Sequence, residues 1–177
     1  PQLTMQTQFL ERFKKEARVL AQLLHPNIAV IYNFIEQQGN HFMVMEYVEG
    51  ASLDELLKKY GTLPPEFIVP VFIQALEGLQ HAHRKNIFHR DIKPGNILFD
   101  TYGEAFVGDF GIAKLVQEGT NIMTSATGMV GGTPKYMSPE QCRGESNIDG
   151  RTDVYALGVM LFEMLTGTPP YNSDTPM

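Results

Sequence analysis

The sequence predicts an α+β fold, with a small strand-bearing part followed by a mostly helical part. Three observations carry this. Apolar residues recur at helical spacing in separate stretches, two hairpin-like pairs of runs lie among them, and one late stretch is apolar nearly all round. The order along the chain is helix, hairpin, helices, small hairpin, long loop, buried helix.

Phe9, Phe13, Ala17, Leu20 and Leu24 recur at helical spacing, so residues 5–24 read as an amphipathic helix. HPN at 25–27 stops it, because the residue before a proline disfavours the helical region. VIYNFIE (30–36) and HFMVMEYV (41–48) read as a hairpin about the turn residues QQGN. Ser52 is placed to cap a short helix through Tyr60, with Leu53, Leu56 and Leu57 inward. Pro64 and Pro65 open a longer helix to about Asn86, whose stripe is Phe67, Ile68, Val71, Phe72, Ala75, Leu76 and Leu79. NILF (96–99) and EAFVG (104–108) flank DTYG as a second hairpin. Residues 112–148 are rich in Gly, Thr and Ser with little periodicity, and a loop that long in a compact domain is usually functional or mobile. VYALGVMLFEML (154–165) predicts a buried helix that Gly167 ends.

The totals bound the function. The 177 residues suit one domain, with 43% hydrophobic and 19% charged residues as in a soluble globular protein. No apolar run approaches the roughly 18 residues of a membrane span, and no signal peptide is visible. A net charge of -6 argues against a nucleic-acid partner. The single cysteine, Cys142, excludes an internal disulfide and a cysteine-built metal site, which suits a reducing, cytoplasmic setting. The first residue is Pro1 and the last residues, YNSDTPM, show no helix end or strand, so the chain is expected to be a piece of a longer protein. A membrane anchor elsewhere in that parent stays open.

HRDIKPGN (89–96) packs His, Arg, Asp, Lys and Asn around a Pro and a Gly, between two apolar stretches. With DFG at 109–111 and SPE at 138–140, it resembles the protein kinase signature set in order and spacing. Asp91 and Asn96 are five apart, and DFG follows after one small hairpin. The resemblance implies a protein-kinase-like fold: a partial small lobe (the helix called αC and a β hairpin) plus the first part of the helical large lobe. Residues 1–48 would be a remnant of the small lobe and hinge, and 49–177 part of the large lobe. It also implies ATP and Mg2+ as cofactors and a protein substrate with a Ser or Thr acceptor.

The chemistry of the residues agrees. Phosphoryl transfer asks for positioning and charge neutralisation more than for covalent chemistry. Asp91 can orient the attacking hydroxyl and take its proton, Lys93 can place positive charge on the transferring phosphate, and Asn96 and Asp109 offer the hard oxygens that magnesium prefers. Pro94 and Gly95 let the backbone turn tightly between them. Lys93 in HRDxKPxN, and Thr133 in GTPKYMSPE, resemble serine/threonine rather than tyrosine kinases, and the wording of both segments is most similar to the bacterial-type enzymes.

Other positions follow from the resemblance alone. Glu16 stands where the family has its αC glutamate. Met45 would be the gatekeeper, with Glu46, Tyr47 and Val48 as the hinge that meets adenine through backbone groups, and Leu98 against the ring. Ile31, Leu20, His89 and Phe110 would stack as a spine. Asp153 would hold the backbone of the HRD turn. Glu140, in SPE, pairs in the family with an arginine that these 177 residues do not supply. Thr124, Ser125 and Thr127 fall where related kinases carry loop phosphates, and Arg90 could pair with such a phosphate. A polar mobile loop would supply the same hydroxyls without regulation.

The pattern also fails in places. No G-x-G occurs in the chain, and no lysine lies between Lys15 and Lys58, so the glycine-rich loop and strand lysine of the family are missing. Truncation explains this, and so does a pseudokinase or another non-catalytic binding module. The presence of Asp91, Asn96 and Asp109 favours the enzyme. His81 and His83 are two apart and do not share a helix face, which counts against a zinc site. Met123, Met129 and Met137 read as loop and packing residues, and Lys14, Lys15, Lys58 and Lys59 as solvated helix faces. Asp54 either decorates its helix or faces a ribose. Asp149 and Asp174 carry no assigned role.

Overall fold

A computed structural model of the chain describes residues 19–37, 40–110, 134–145 and 147–171. The strand and helix classes expected from the sequence are present within them. Strands β1 (Ile31–Gln37) and β2 (Asn40–Met45) pair antiparallel, from Ile31 opposite Met45 to Gln37 opposite Asn40, with a bulge between Ile31 and Asn33. A second sheet has the order β3 (Gly50–Ser52), β4 (Ile97–Asp100), β5 (Ala105–Val107), all antiparallel. The β4–β5 hairpin was legible in sequence. Strand β3 was not, since three residues carry no alternation to read; Gly50 pairs with Asp100, close against the Phe99 carbonyl where any side chain would collide.

The helices are α1 (Leu53–Tyr60), α2 (Pro65–His83), the short α3 (Pro139–Cys142) and α4 (Arg151–Thr166). Ser52 caps α1 as expected, and Glu55 completes a capping box by accepting from the Ser52 amide at 2.7 Å. Leu53 is fully buried beneath it. Gly167 ends α4 in the left-handed region at φ 78°.

Three expectations need correction. The first helix was expected to reach Leu24, but helical backbone ends at Leu20 and a turn follows, with Leu23 N–H donating to the Leu20 carbonyl at 3.0 Å. Tightening from four-residue to three-residue spacing shifts the phase by one residue. Leu23 is therefore core and Leu24 is 66% exposed. Helix α2 stops at His83, three residues short of Asn86, which sits at φ 58° in the turn after it. Its stripe buries Ile68, Val71, Ala75, Leu79 and Ala82, while Leu76 stands exposed. Helix α4 is not buried all round: Val154, Phe162 and Leu165 are exposed, and Ala156, Leu157, Met160 and Met164 face the core.

The core lies between α2, α4 and the three-stranded sheet, around Leu53, Ile68, Ile92, Ile97, Met160 and Met164. The segment that follows His25 is stapled to the sheet edge: Val107 N–H donates to the Asn27 carbonyl at 2.9 Å, Ala29 N–H to the Val107 carbonyl at 3.1 Å, and Asn27 Nδ2 to the Ala105 carbonyl at 3.0 Å. Gly78 makes this possible, because a Cβ there would meet the Asn27 carbonyl at 2.9 Å. The result holds the ends of the β4–β5 hairpin, and so Asn96 and Gly108, in fixed positions next to the HRD segment.

Candidate active site

The loop 89–96 leaves the end of α2 and must turn sharply to reach β4. Arg90 makes the turn with φ 66°, a left-handed conformation costing about 1–3 kcal/mol for a residue that is not glycine. Asp153, fully buried in the first turn of α4, offsets that cost. Its carboxylate accepts from the amides of His89 at 2.9 Å and Arg90 at 2.7 Å, and meets His83 Nε2 at 2.7 Å. Burial works against its charge, but the His83 bond, the His89 ring and the two amides together hold its carboxyl below the usual aspartate value. Both amides that Asp153 accepts belong to the HRD turn; His83, its third partner, was not anticipated.

His89 is buried, with a defined tautomer. Its Nδ1 accepts from the Asp91 amide at 3.2 Å, so the proton sits on Nε2, which donates to the Gly108 carbonyl at 2.7 Å. Its ring meets Phe110 with centroids 4.7 Å apart. Leu20 and Ile31 are buried in the same core. His89 therefore holds Gly108 through its carbonyl and packs on Phe110. Among the described residues no group of three His, Cys, Asp or Glu side chains is placed to hold a metal alone.

Asp91, Lys93 and Asn96 converge. Lys93 Nζ lies 2.6 Å from Asp91 Oδ2, both side chains being about a quarter exposed. Pro94–Asn96 form one 3-10 turn, closed by the Asn96 amide donating to the Lys93 carbonyl at 2.9 Å. That turn brings Asn96 Nδ2 to 2.8 Å from the Asp91 carbonyl, which directs the amide oxygen away from the loop backbone. Gly108 N–H donates to the Asn96 carbonyl at 2.8 Å. Gly108 is therefore held through its N–H by Asn96 and through its C=O by His89, which fixes the start of the DFG segment. Asp109 follows at φ 56° with an exposed side chain.

The end of β2 and the residues after it, expected from the sequence to be the hinge, are part-buried at Met45, Glu46 and Val48. Glu46 N–H already donates to the Val30 carbonyl at 2.7 Å, and its carboxylate accepts the Val30 amide at 3.0 Å. Leu98 is half-buried on β4, opposite Phe106. Asp54 pairs with Lys58 at 2.6 Å on the exposed face of α1, the bland one of its two readings. Lys59 lies over the Tyr60 ring, and Asp149 pairs with Arg151 at 2.8 Å.

In the segment that begins at residue 134, Tyr136 and Lys135 both reach Glu163 of α4, Lys135 Nζ at 2.9 Å. Burial, then the bond to Glu163, holds the Tyr136 hydroxyl protonated far above the ordinary tyrosine value. Glu140 accepts from Thr152 Oγ1 at 2.7 Å, which lowers its pKa. Nothing in the sequence marked Glu163 or Thr152, whose partners lie 27 and 12 residues away. Glu16, Lys14, Lys15, Met123, Thr124, Ser125, Thr127, Met129, Thr133 and Asp174 lie outside the described residues.

Comparison with known proteins gives the same grouping. Residues 2–177 match the protein kinase domain family. The chain is 40% identical over 173 residues to serine/threonine-protein kinase PknB of Mycobacterium leprae (strain TN), covering 96% of this chain and 27% of that protein. It is 42% identical over 176 residues to a probable serine/threonine-protein kinase PknB of Bifidobacterium longum (strain NCC 2705), covering 94% and 25%. It is 41% identical over 168 residues to serine/threonine-protein kinase PknL of Mycobacterium tuberculosis (strain ATCC 25618 / H37Rv), covering 95% and 41%. The chain thus spans about a quarter of the length of the PknB relatives.

Proposed function

The chain belongs to the protein kinase domain family, and we propose that the protein carrying it transfers the γ-phosphate of ATP to a Ser or Thr hydroxyl of a protein substrate. The observation that carries this reading is the convergence of Lys93 and Asn96 on Asp91, on a loop whose strained turn is locked by Asp153. Asp91 accepts the proton of the acceptor hydroxyl and aims it. Lys93 holds Asp91 and presents its charge to the transferring group. The donor set fits magnesium: the Asn96 amide oxygen and the exposed Asp109 carboxylate are hard oxygen ligands, and magnesium is commonly held by one or two such groups plus substrate phosphates. Bound there, the ion would neutralise phosphate charge. The Glu46 carbonyl, the backbone of Val48 and the side chain of Leu98 form the side toward adenine, since the Glu46 N–H is already taken.

We read 1–48 as small lobe and hinge and 49–177 as part of the large lobe. The division falls between the β1–β2 ladder and the sheet that β3 begins. Thr124, Ser125 and Thr127 are candidate phosphorylation sites that would act through Arg90, and Thr133 would face the substrate. The relatives' names support the Ser/Thr class.

The test is phosphotransfer by the full-length protein. Asp91→Asn is expected to lower kcat by about 100-fold or more, with the ATP dissociation constant little changed. Asp109→Asn is expected to weaken magnesium-dependent ATP binding instead. Equal ATP dissociation constants for the two variants would show the roles to be misassigned.

A further inference from the structure

The peptide unit between Arg90 and Asp91 is gripped from both sides. Its N–H, belonging to Asp91, donates to His89 Nδ1 at 3.2 Å. Its C=O, belonging to Arg90, accepts from Gln141 Nε2 at 2.7 Å. The other end of the same side-chain amide, Gln141 Oε1, accepts the Ser138 amide at 3.0 Å and so closes the first turn of α3. One side chain joins segments 51 residues apart in sequence. Ser138 is itself fixed: its hydroxyl lies 3.0 Å from Thr152 Oγ1 and 3.3 Å from Gln141 Oε1, two acceptors for its one proton, while Thr152 donates to Glu140.

We propose that Gln141 is a positioning residue that clasps the segment after the long loop to the peptide preceding Asp91, setting the direction in which Asp91 points. This rests on the kinase reading, in which Asp91 is the catalytic base. The orientation of a residue's side chain follows from the peptide planes on either side of its Cα; Asn96 holds the carbonyl of the plane after Asp91, and Gln141 holds the carbonyl of the plane before it. Arg90 sits in a left-handed conformation, so the plane has a competing, unstrained orientation available once a grip is lost. A primary amide can donate to Arg90 and accept from Ser138 at once, which a carboxylate or a thioether cannot. The clasp also gives a route by which the placement of residues 138–141 reaches the catalytic aspartate without either touching the nucleotide.

The discriminating substitution is Gln141→Glu in the full-length protein. A carboxylate keeps the acceptor for the Ser138 amide, and so keeps the helix cap, but loses the donor to Arg90. Gln141→Met loses both. We expect both variants to lower kcat by about ten- to a hundredfold, the range expected when a reacting group is misaimed, while KM for ATP stays within about twofold. The amides of Arg90 and Asp91 should exchange hydrogen faster in both, and the melting temperature of Gln141→Glu should stay near that of the parent. Wild-type kcat and wild-type exchange in Gln141→Glu, with a loss in Gln141→Met alone, would reduce Gln141 to a helix cap and overturn the proposal. If the unsubstituted protein transfers no phosphate, the kinase reading fails, and exchange at Arg90 and Asp91 still decides the clasp.

Discussion

Asp153 shows how much one buried residue does for this site. It satisfies two backbone N–H groups and one part-exposed imidazole from a fully buried position. Asp153→Ala strands all three and is expected to cost about 3–5 kcal/mol, as for one partner removed from a buried charged network. The measurement is chemical denaturation of the full-length protein. Its pH dependence has a definite sign. The folded carboxyl sits below the usual aspartate value, so its contribution is complete above about pH 4 and is lost as pH falls through the folded value. The stability gap between the parent and Asp153→Asn should narrow as pH falls below about 4.

Helix α2 separates two leucines that the hydrophobic pattern treats alike. Leu79 is 2% exposed and Leu76 is 44% exposed. Leu79→Ala should cost about 2–5 kcal/mol through lost burial and a residual cavity. Leu76→Ala should cost less than about 1 kcal/mol, in line with a mostly surface position. Comparable losses by denaturation would mean that α2 is rotated from the placement seen here. Residues 112–132 are the other segment with a testable role. On the proposed switch, a phosphate on Thr127 or Ser125 would add about -1.5 to -2 charges for Arg90, the neighbour of Asp91 in sequence, to pair with. Thr127→Ala with Ser125→Ala is expected to lower activity of the full-length protein, and Arg90→Ala to abolish its response to phosphorylation. Full activity in the double variant, with no loop phosphate found by mass spectrometry of the active protein, would refute the switch.

For the molecule as a whole, the 177 residues contain HRDIKPGN but no G-x-G and no lysine from 16 to 57. Charge stabilisation at the phosphates is the larger part of this chemistry. The isolated chain is therefore expected to show negligible transfer in a radiolabelled phosphate assay. Robust turnover abolished by Asp91→Asn would contradict this. No helix among the described residues is long and apolar enough to cross a membrane.

Local patterns were sufficient for much of the site. HRDIKPGN marks Asp91, Lys93 and Asn96 because their geometry is made within one loop and one 3-10 turn, by bonds spanning two to five residues. The capping of α1 by Ser52 and the ending of α4 at Gly167 were legible for the same reason: caps are local. Long-range partners were not legible. His83 and Asp153 are 70 apart, Gln141 and Arg90 51 apart, and the pairing of Gly50 with Asp100 joins two ends of the chain segment that the helices fold back. Nor could periodicity tell Leu79 from Leu76, or Leu23 from Leu24, because which side of a helix is covered depends on what packs there. Sequence by itself determined which groups are close along the backbone. Tertiary structure alone decided which distant groups share buried carboxylates and amides, because a polar group that loses water must find a partner wherever the fold brings one.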